Sequence, residues 1–381
     1  MNRNVTQKAI NLLIVWFIFL PCCVFASIYT PLNFSQVPVA NQSSSAQNVA
    51  IKSALQNVLI KMSGSVQILD APEVTALLKQ SRAYVEATRF IANDTLTLEV
   101  EFNESKLHTW LKRNALPLMS DTRPETLVWM IVDEPSSSER MLIGDANIST
   151  HHSMLRNAFD RRGLQVSLPL YDLTDLSQVN EIDIWGQFVD LIFESSRRYS
   201  PDYVVAIKLF VNQELNWQLD SFIKTEHSLQ LGSYTGADEQ SAIMSFVNDY
   251  AEVIAQEYAI DTTLFAKGEQ IKTLVTIDNM GSLTDLAQVT AYLKGLNIIE
   301  QITLQSQMGQ RSTFAVSLLG PPEQLAKLIQ QNAQVLTLVD NTKHNESHFR
   351  GDETEDLSQL TGQEKRPSME ALPHLYFNRM P

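Results

Sequence analysis

Residues 127–133 have the sequence LVWMIVD, and residues 203–211 have the sequence YVVAIKLFV. Both runs are almost entirely apolar and rich in β-branched and aromatic residues, which predicts strands that are covered on both faces. Three segments with helical periodicity accompany them: residues 154–162, 189–199 and 238–258. Strands interleaved with helices predict a layered α/β sandwich over residues 123–265.

The segment that follows, residues 270–339, has a more specific pattern. Its alternating and periodic stretches predict, in order, a strand, a helix, two strands, a helix and a strand: residues 271–278, 283–294, 297–305, 311–319, 322–331 and 334–339. This β-α-β-β-α-β order is that of a ferredoxin-like module.

A third module is expected before the sandwich, over residues 27–120. Residues 43–64, SSSAQNVAIKSALQNVLIKMSG, predict an amphipathic helix with serine N-cap candidates and a stop at Gly64. Two alternating strands and another helix follow it. The fold class is therefore predicted to be α+β or α/β, with small α/β sandwich modules in series, the last of them ferredoxin-like.

The end of the chain differs in composition. Residues 340–381 are rich in acidic and small polar residues and poor in aliphatic ones, which predicts a disordered acidic tail. Residues 372–377, LPHLYF, form a short apolar island in it. The island has two interpretations, a chance of composition or a docking motif, and composition is favoured.

The start of the chain predicts a signal peptide over residues 1–26. Arg3 and Lys8 precede an apolar run, and cleavage is expected between Ala26 and Ser27. The run of about a dozen residues is short for an uncleaved membrane anchor, which needs roughly 20. No later segment is long and apolar enough to span a membrane.

Cysteine content and charge narrow the function further. Cys22 and Cys23 are the only cysteines, so the mature chain is expected to contain neither a disulfide nor a thiolate metal site. The net charge is −14, and removal of Arg3 and Lys8 with the signal makes it −16. A chain this acidic is repelled by phosphate backbones, so nucleic acid is not expected as a partner.

Motifs for catalysis and cofactors are absent from the sequence. There is no GxSxG elbow, no GxGxxG and no GxxxxGK[ST] loop. His151 and His152 are adjacent and are expected on the solvated start of a helix, where they do not chelate one ion. The sequence therefore predicts no catalytic residue, no metal ligand and no cofactor.

One acidic loop region remains as a weak candidate for a binding site. It contains four carboxylates and a neighbouring tryptophan: Asp172, Asp175, Glu181, Asp183 and Trp185. Loops at strand ends are where α/β sheets place sites, and a tryptophan beside a glycine can anchor a partner. A solvated acidic loop and a core tryptophan are the competing interpretations.

Four stretches resemble an uncharacterised family of Gram-negative envelope proteins, domain-of-unknown-function family two-thousand-sixty-six. They are residues 37–64, 123–134, 182–188 and 197–209, with the sequences VPVANQSSSAQNVAIKSALQNVLIKMSG, RPETLVWMIVDE, IDIWGQF and RRYSPDYVVAIKL. The resemblance implies an export signal and a periplasmic location. It implies no activity and no catalytic residues.

The leading hypothesis is a non-enzymatic periplasmic binding or scaffold protein with another envelope protein as its partner. A carboxylate-dependent hydrolase or carbohydrate-active enzyme is the first alternative, and it needs two of the four carboxylates to face each other about 5–10 Å apart. A small-ligand sensor that binds between modules is the second. The sequence does not determine the oligomeric state.

Overall fold

The computed structural model describes residues 32–92, 95–119, 123–146, 149–260, 262–267, 271–331, 335–339 and 372–380. The expected signal peptide, with its cleavage site at Ala26 and Ser27, lies outside these residues, as does most of the expected tail. Within the described ranges helices and sheets are mixed, which confirms the α+β class. In the same ranges, no helix combines the length and the apolar character that crossing a membrane requires.

The N-terminal module packs one long helix on a small antiparallel sheet of order β1-β3-β2. Its strands and α-helices are β1 (Phe34–Pro38), α1 (Ser44–Ser63), α2 (Pro72–Lys79), β2 (Val85–Ala92), β3 (Leu96–Phe102) and α3 (Glu104–Arg113). Helix α1 begins where the Ser43 hydroxyl accepts a hydrogen bond from the Ala46 N–H at 3.2 Å. It ends at Gly64, whose φ of 80° is the left-handed conformation that favours glycine.

The central module is built on the two apolar runs, which pair as parallel neighbours. Its elements are β4 (Leu118–Met119), β5 (Glu125–Asp133), β6 (Met141–Ile143), α4 (Thr150–Arg161), β7 (Gln165–Ser167), α5 (Leu173–Gln178), α6 (Glu181–Trp185), α7 (Val189–Ser196), β8 (Tyr203–Val211), β9 (Trp217–Lys224), β10 (Leu229–Gly236), α8 (Glu239–Tyr258), β11 (Ala259–Ile260) and α9 (Thr263–Ala266).

The central sheet has the order β10-β9-β8-β5-β6. Strand β7 also pairs with β5, on the side away from β8: β6 lies along residues 130–132 of β5, and β7 lies along residues 125–127. Alternate residues of β5 point to opposite faces. Val128 and Met130 join a core that includes residues of α4 and α8. Trp129 and Ile131 join a second core that includes residues of α6 and α7. The layered sandwich expected from the two apolar runs is confirmed.

The C-terminal module has the predicted β-α-β-β-α-β order followed by one further strand. Its elements are β12 (Ile271–Asp278), α10 (Leu283–Lys294), β13 (Ile299–Met308), β14 (Arg311–Leu318), α11 (Pro322–Gln331), β15 (Leu336–Leu338) and β16 (His374–Arg379). The sheet order is β13-β14-β12-β16-β15. Strand β16 therefore lies inside the sheet.

The expectation of a disordered tail is wrong for the end of that tail. Residues 374–379 form β16, which is parallel to β12 and antiparallel to β15. Phe377 is only 1% exposed. The apolar island gains its structure from long-range strand pairing, which local composition does not reveal. The other residues of the expected tail, 340–371 and Pro381, lie outside the described residues.

The central and C-terminal modules share one hydrophobic core. One hydrophobic cluster contains Ile254 and Ile260 of the central module together with Val275 and Phe314 of the C-terminal module. The N-terminal module has a cluster of its own along α1 and β3. The description as modules in series therefore applies to the chain order, whereas the packing joins the last two modules.

Buried cations join the N-terminal module to the central one. Arg162 donates from Nη2 to the Gly64 carbonyl oxygen at 2.8 Å, and Arg123 donates from Nη2 to the Lys61 carbonyl oxygen at 2.7 Å. Both carbonyls belong to the last turn of α1 or to its cap, where the helix dipole favours positive charge. Lys61 itself forms an ion pair with Asp160 at 3.2 Å.

Candidate functional site

The structure brings Asp172 and Asp175 of the predicted acidic region together, around Arg198. The guanidinium forms a two-point contact with Asp172, with both N–O distances 2.8 Å, and a third bond to Asp175 Oδ1 at 2.9 Å. Asp172 is also the N-cap of α5, because its Oδ1 accepts hydrogen bonds from the N–H groups of Thr174 and Asp175. The two carboxylates therefore share one guanidinium and are already hydrogen-bonded within the protein.

Asp175 is a buried structural anchor, with 1% of its surface exposed. It accepts hydrogen bonds from the Tyr199 hydroxyl at 2.6 Å and from the Tyr171 N–H at 2.9 Å. Burial, and then the bond to Asp175, raise the pKa of Tyr199 to about 12, so its phenol remains a donor at neutral pH. This network fixes the chain around α5.

The other residues predicted for this region lie apart from the Arg198 network. Asp183 Oδ2 accepts from the Asn180 N–H at 2.9 Å in a capping box, and Glu181 is exposed in the first turn of the same helix. Trp185 is half-buried, with the Arg140 guanidinium 3.8 Å from its ring centroid. Asp183 therefore caps a helix, and Trp185 makes a packing contact.

The Asp172–Arg198 contact gives a pH prediction. Its hydrogen bond to Arg198 holds the pKa of Asp172 well below its usual range. Asp172→Asn keeps an N-cap oxygen but removes the charge, so it should be less stable than the native protein above about pH 4, the unfolded-state pKa. That difference should disappear as the pH falls through the depressed folded-state pKa. Urea unfolding between pH 7 and pH 2 measures it.

Arg198→Met provides the control for this prediction. In that background the aspartate has lost the guanidinium, so the stability change caused by Asp172→Asn should vary less with pH. If Asp172→Asn, made in the protein that retains Arg198, changed the free energy of unfolding by the same amount at pH 7 and at the lowest accessible pH, the prediction would be contradicted.

The histidine pair is buried, contrary to the expectation of a solvated helix start. His151 Nε2 lies 3.2 Å from Glu239 Oε2, because the first turn of α4 packs beside the first turn of α8. His152 Nε2 accepts from Arg156 Nε at 3.0 Å. Among the described residues, no group of three or more His, Cys, Asp or Glu side chains is suited to hold a metal ion.

A groove between strand β10 and helix α8 is the strongest candidate for a binding site. Its volume is about 280 Å³, and it is lined by Ile223, Gln230, Leu231, Gly232, Tyr234, Asp249, Tyr250, Glu252, Val253 and Gln256. The described residues that line it include two carboxylates and no Lys, Arg or His. A groove between an edge strand and a helix is where proteins add an extended peptide to a sheet.

Within the part of the chain that the structure describes, strand β10 forms an open edge of the central sheet. The Thr225 N–H donates to the Ser228 carbonyl at 3.0 Å, which marks this pair as hydrogen-bonded. With Leu229 opposite Lys224, the alternation of an antiparallel ladder directs the backbone groups of residues 230, 232, 234 and 236 to β9. The N–H and C=O groups of residues 229, 231, 233 and 235 therefore point to the open side.

Apolar side chains accompany this open edge. Leu231 is 73% exposed and Leu229 is 49% exposed, whereas natural sheets usually protect long edges with charges, proline or bulges. Strand β10 begins with the alternating sequence LQLGSY, residues 229–234. Its position at the end of the sheet depends on the order of the strands, so sequence reasoning did not find this site.

A known protein family matches the first part of the chain. Residues 26–120 match a family described as a Domain of unknown function (DUF8605). No curated protein matches the chain. The resemblance to domain-of-unknown-function family two-thousand-sixty-six that was inferred from the sequence is therefore wrong, because the matching family is a different one. Over residues 26–120, about a quarter of its length, this chain is similar to that uncharacterised domain.

Proposed function

We propose that this chain is an exported, non-enzymatic protein of the bacterial cell envelope that binds an extended, basic segment of a partner protein along β10. The open edge of β10 beside the groove is the observation that carries the proposal. The leader pattern of residues 1–26 supports export. The carboxylate-dependent hydrolase has less support, because Arg198 holds two of its four candidate carboxylates.

The affinity would come from the backbone. An added strand can form hydrogen bonds with the outward groups of residues 229, 231, 233 and 235, whatever its side chains are. Its alternate side chains would lie over Gly232 and against α8 on one face, and near Leu231 on the other. A site of this kind selects by strand shape and by a few pockets.

The charge of the groove indicates which partner segments would bind in it. Asp249 is exposed on the α8 side, and Glu252 lies one turn further along the same helix face. Glu252 already pairs with Arg162 at 2.8 Å, so Asp249 is the more available carboxylate. A partner with lysine or arginine beside its apolar positions complements this wall, and an acidic partner is repelled.

Synthetic peptides test this proposal. A peptide of about ten residues that alternates lysine and valine should bind at least about 10-fold more tightly than one that alternates glutamate and valine. Amide chemical-shift changes should concentrate on residues 229–236 and on the exposed side of α8. Equal binding of the two peptides, or shift changes located elsewhere, would remove the proposal.

Leu231→Lys is the variant expected to lose this binding. A lysine on the open edge repels the basic peptide and replaces an apolar contact, so the affinity should fall about 10-fold or more. Leu215→Lys is the matched control, because Leu215 is 85% exposed in the turn between β8 and β9. Titration calorimetry with the lysine–valine peptide measures both. A similar loss in the two variants would contradict strand addition at β10.

A further inference from the structure

Strand β16 fills a slot in the middle of the C-terminal sheet. It is parallel to β12, with Phe377 opposite Ile277, and antiparallel to β15, with Phe377 opposite Leu338. Among the described residues, β15 pairs in the sheet only with β16. Removal of β16 would therefore separate β15 from β12 and leave unpaired backbone groups on both.

The slot recognises β16 along its whole length. At one end, the Thr273 hydroxyl donates to the Pro373 carbonyl at 2.6 Å. Thr276 Oγ1 lies 2.8 Å from His374 Nε2. At the other end, Arg379 forms an ion pair with Asp285 at 3.0 Å. Backbone pairing, a buried aromatic ring and charge together specify this sequence.

The connection to β16 is far longer than the geometry requires. Strands β15 and β16 are antiparallel neighbours, and a hairpin between such strands needs about 2–5 residues. In this chain 35 residues separate Leu338 from His374. The strand therefore behaves as a ligand on a long tether. At this position in the sheet, the strand can come from the same copy of the chain or from a second copy.

We propose that the slot between β12 and β15 is a strand-binding site that also accepts β16 of a second copy, so that two copies exchange their C-terminal strands. Every group named above as contacting β16 belongs to residues 271–338, and each copy offers the same groups. Exchange of an identical element preserves all of these contacts, so it is a low-cost route to a dimer. This inference does not depend on the proposed function of β10.

The tether determines when exchange is observed. A strand tethered in its own chain is present at a high effective concentration, at most about the millimolar range. Its own slot therefore fills first in dilute protein. Exchange should be seen when copies fold together at high concentration, or when the resident strand of the acceptor is weakened.

Cysteine pairing across the slot tests the proposal directly. Thr337 and Asn378 are Cα partners in the β15–β16 ladder, a spacing that a disulfide can bridge. One full-length chain carries Thr337→Cys and another carries Asn378→Cys, both with Cys22 and Cys23 replaced by serine. Refolded together at about 0.1 mM and oxidised, the mixture should give a covalent dimer of the two different chains. Either chain refolded and oxidised by itself should give no covalent dimer.

A weakened resident strand should increase the yield. The acceptor that carries both Thr337→Cys and Phe377→Ser has a poorer strand of its own, so we expect several-fold more heterodimer with the Asn378→Cys donor. A chain with both Thr337→Cys and Asn378→Cys reports the cis disulfide and verifies that the positions can react.

Gln307→Cys is the control for chance contact, because it lies on β13 at the other side of the sheet. Cis disulfide in the double variant without heterodimer in either mixture would overturn strand exchange. Equal cross-linking of the Asn378→Cys donor to Thr337→Cys and to Gln307→Cys would overturn it as well.

Discussion

Replacing Arg162 by alanine should lower the free energy of unfolding by about 3–5 kcal/mol. The side chain is 2% exposed, and its guanidinium contacts three partners: Glu252 Oε1 and the Gly64 carbonyl, both at 2.8 Å, and Asn248 Oδ1 at 2.8 Å. Alanine would remove the charged donor from a half-buried carboxylate and from a helix-end carbonyl.

The neighbouring residue provides a matched control. Arg161 is exposed, so Arg161→Ala should change the free energy of unfolding by less than about 0.5 kcal/mol. Arg162→Lys should recover only part of the loss, because an ammonium does not reproduce the planar fork of donors. Urea unfolding of the three variants measures the difference. If Arg162→Ala were no worse than Arg161→Ala, these contacts would not join the modules.

The parts of the fold that could be predicted are those with local periodicity. LVWMIVD and YVVAIKLFV predicted two covered strands, because a strand buried on both faces has a continuous apolar run. Residues 271–339 predicted their β-α-β-β-α-β order for the same reason: each element carries its own period. Such patterns are short-range, so one sequence is enough to detect them.

The candidate residues were interpreted less well because their partners are distant in sequence. Asp172 and Asp175 look like available acids until Arg198 and Tyr199, more than 20 residues later, fold onto them. His151 looks like a surface residue until Glu239 of α8 approaches it. Burial and charge pairing of this kind depend on tertiary packing, which sequence patterns do not contain.

The last strand, β16, is a second case in which distant contacts determine the structure, here by ordering a segment that was expected to be disordered. HLYFNR lacks the strict apolar–polar alternation of a strand, because Leu375, Tyr376 and Phe377 are consecutive, and the sequence before it is polar. It is ordered because β12 and β15 offer it two edges at once. A composition rule describes a segment in isolation and says nothing about the slot that another segment provides.

Phe377→Ala should lower the free energy of unfolding by about 3–5 kcal/mol, the usual cost of removing a fully buried phenylalanine ring. Its side chain is 1% exposed and belongs to the cluster that joins the central and C-terminal modules. The loss should appear first in β16, because among the described residues this strand pairs only with β12 and β15. Hydrogen exchange should therefore show faster exchange at residues 374–379 than at β14.

Tyr376→Ala separates ring burial from strand pairing. Tyr376 is the preceding residue and points to the opposite face of the sheet, where its ring stacks on His374 with centroids 4.2 Å apart. Because this ring is half-buried, its removal should cost clearly less than the removal of Phe377. Equal costs would mean that the apolar contact does not hold the strand. Unprotected amides at residues 374–379 in the native protein would mean that β16 is not docked, and the slot would then lose its ligand along with the proposed exchange.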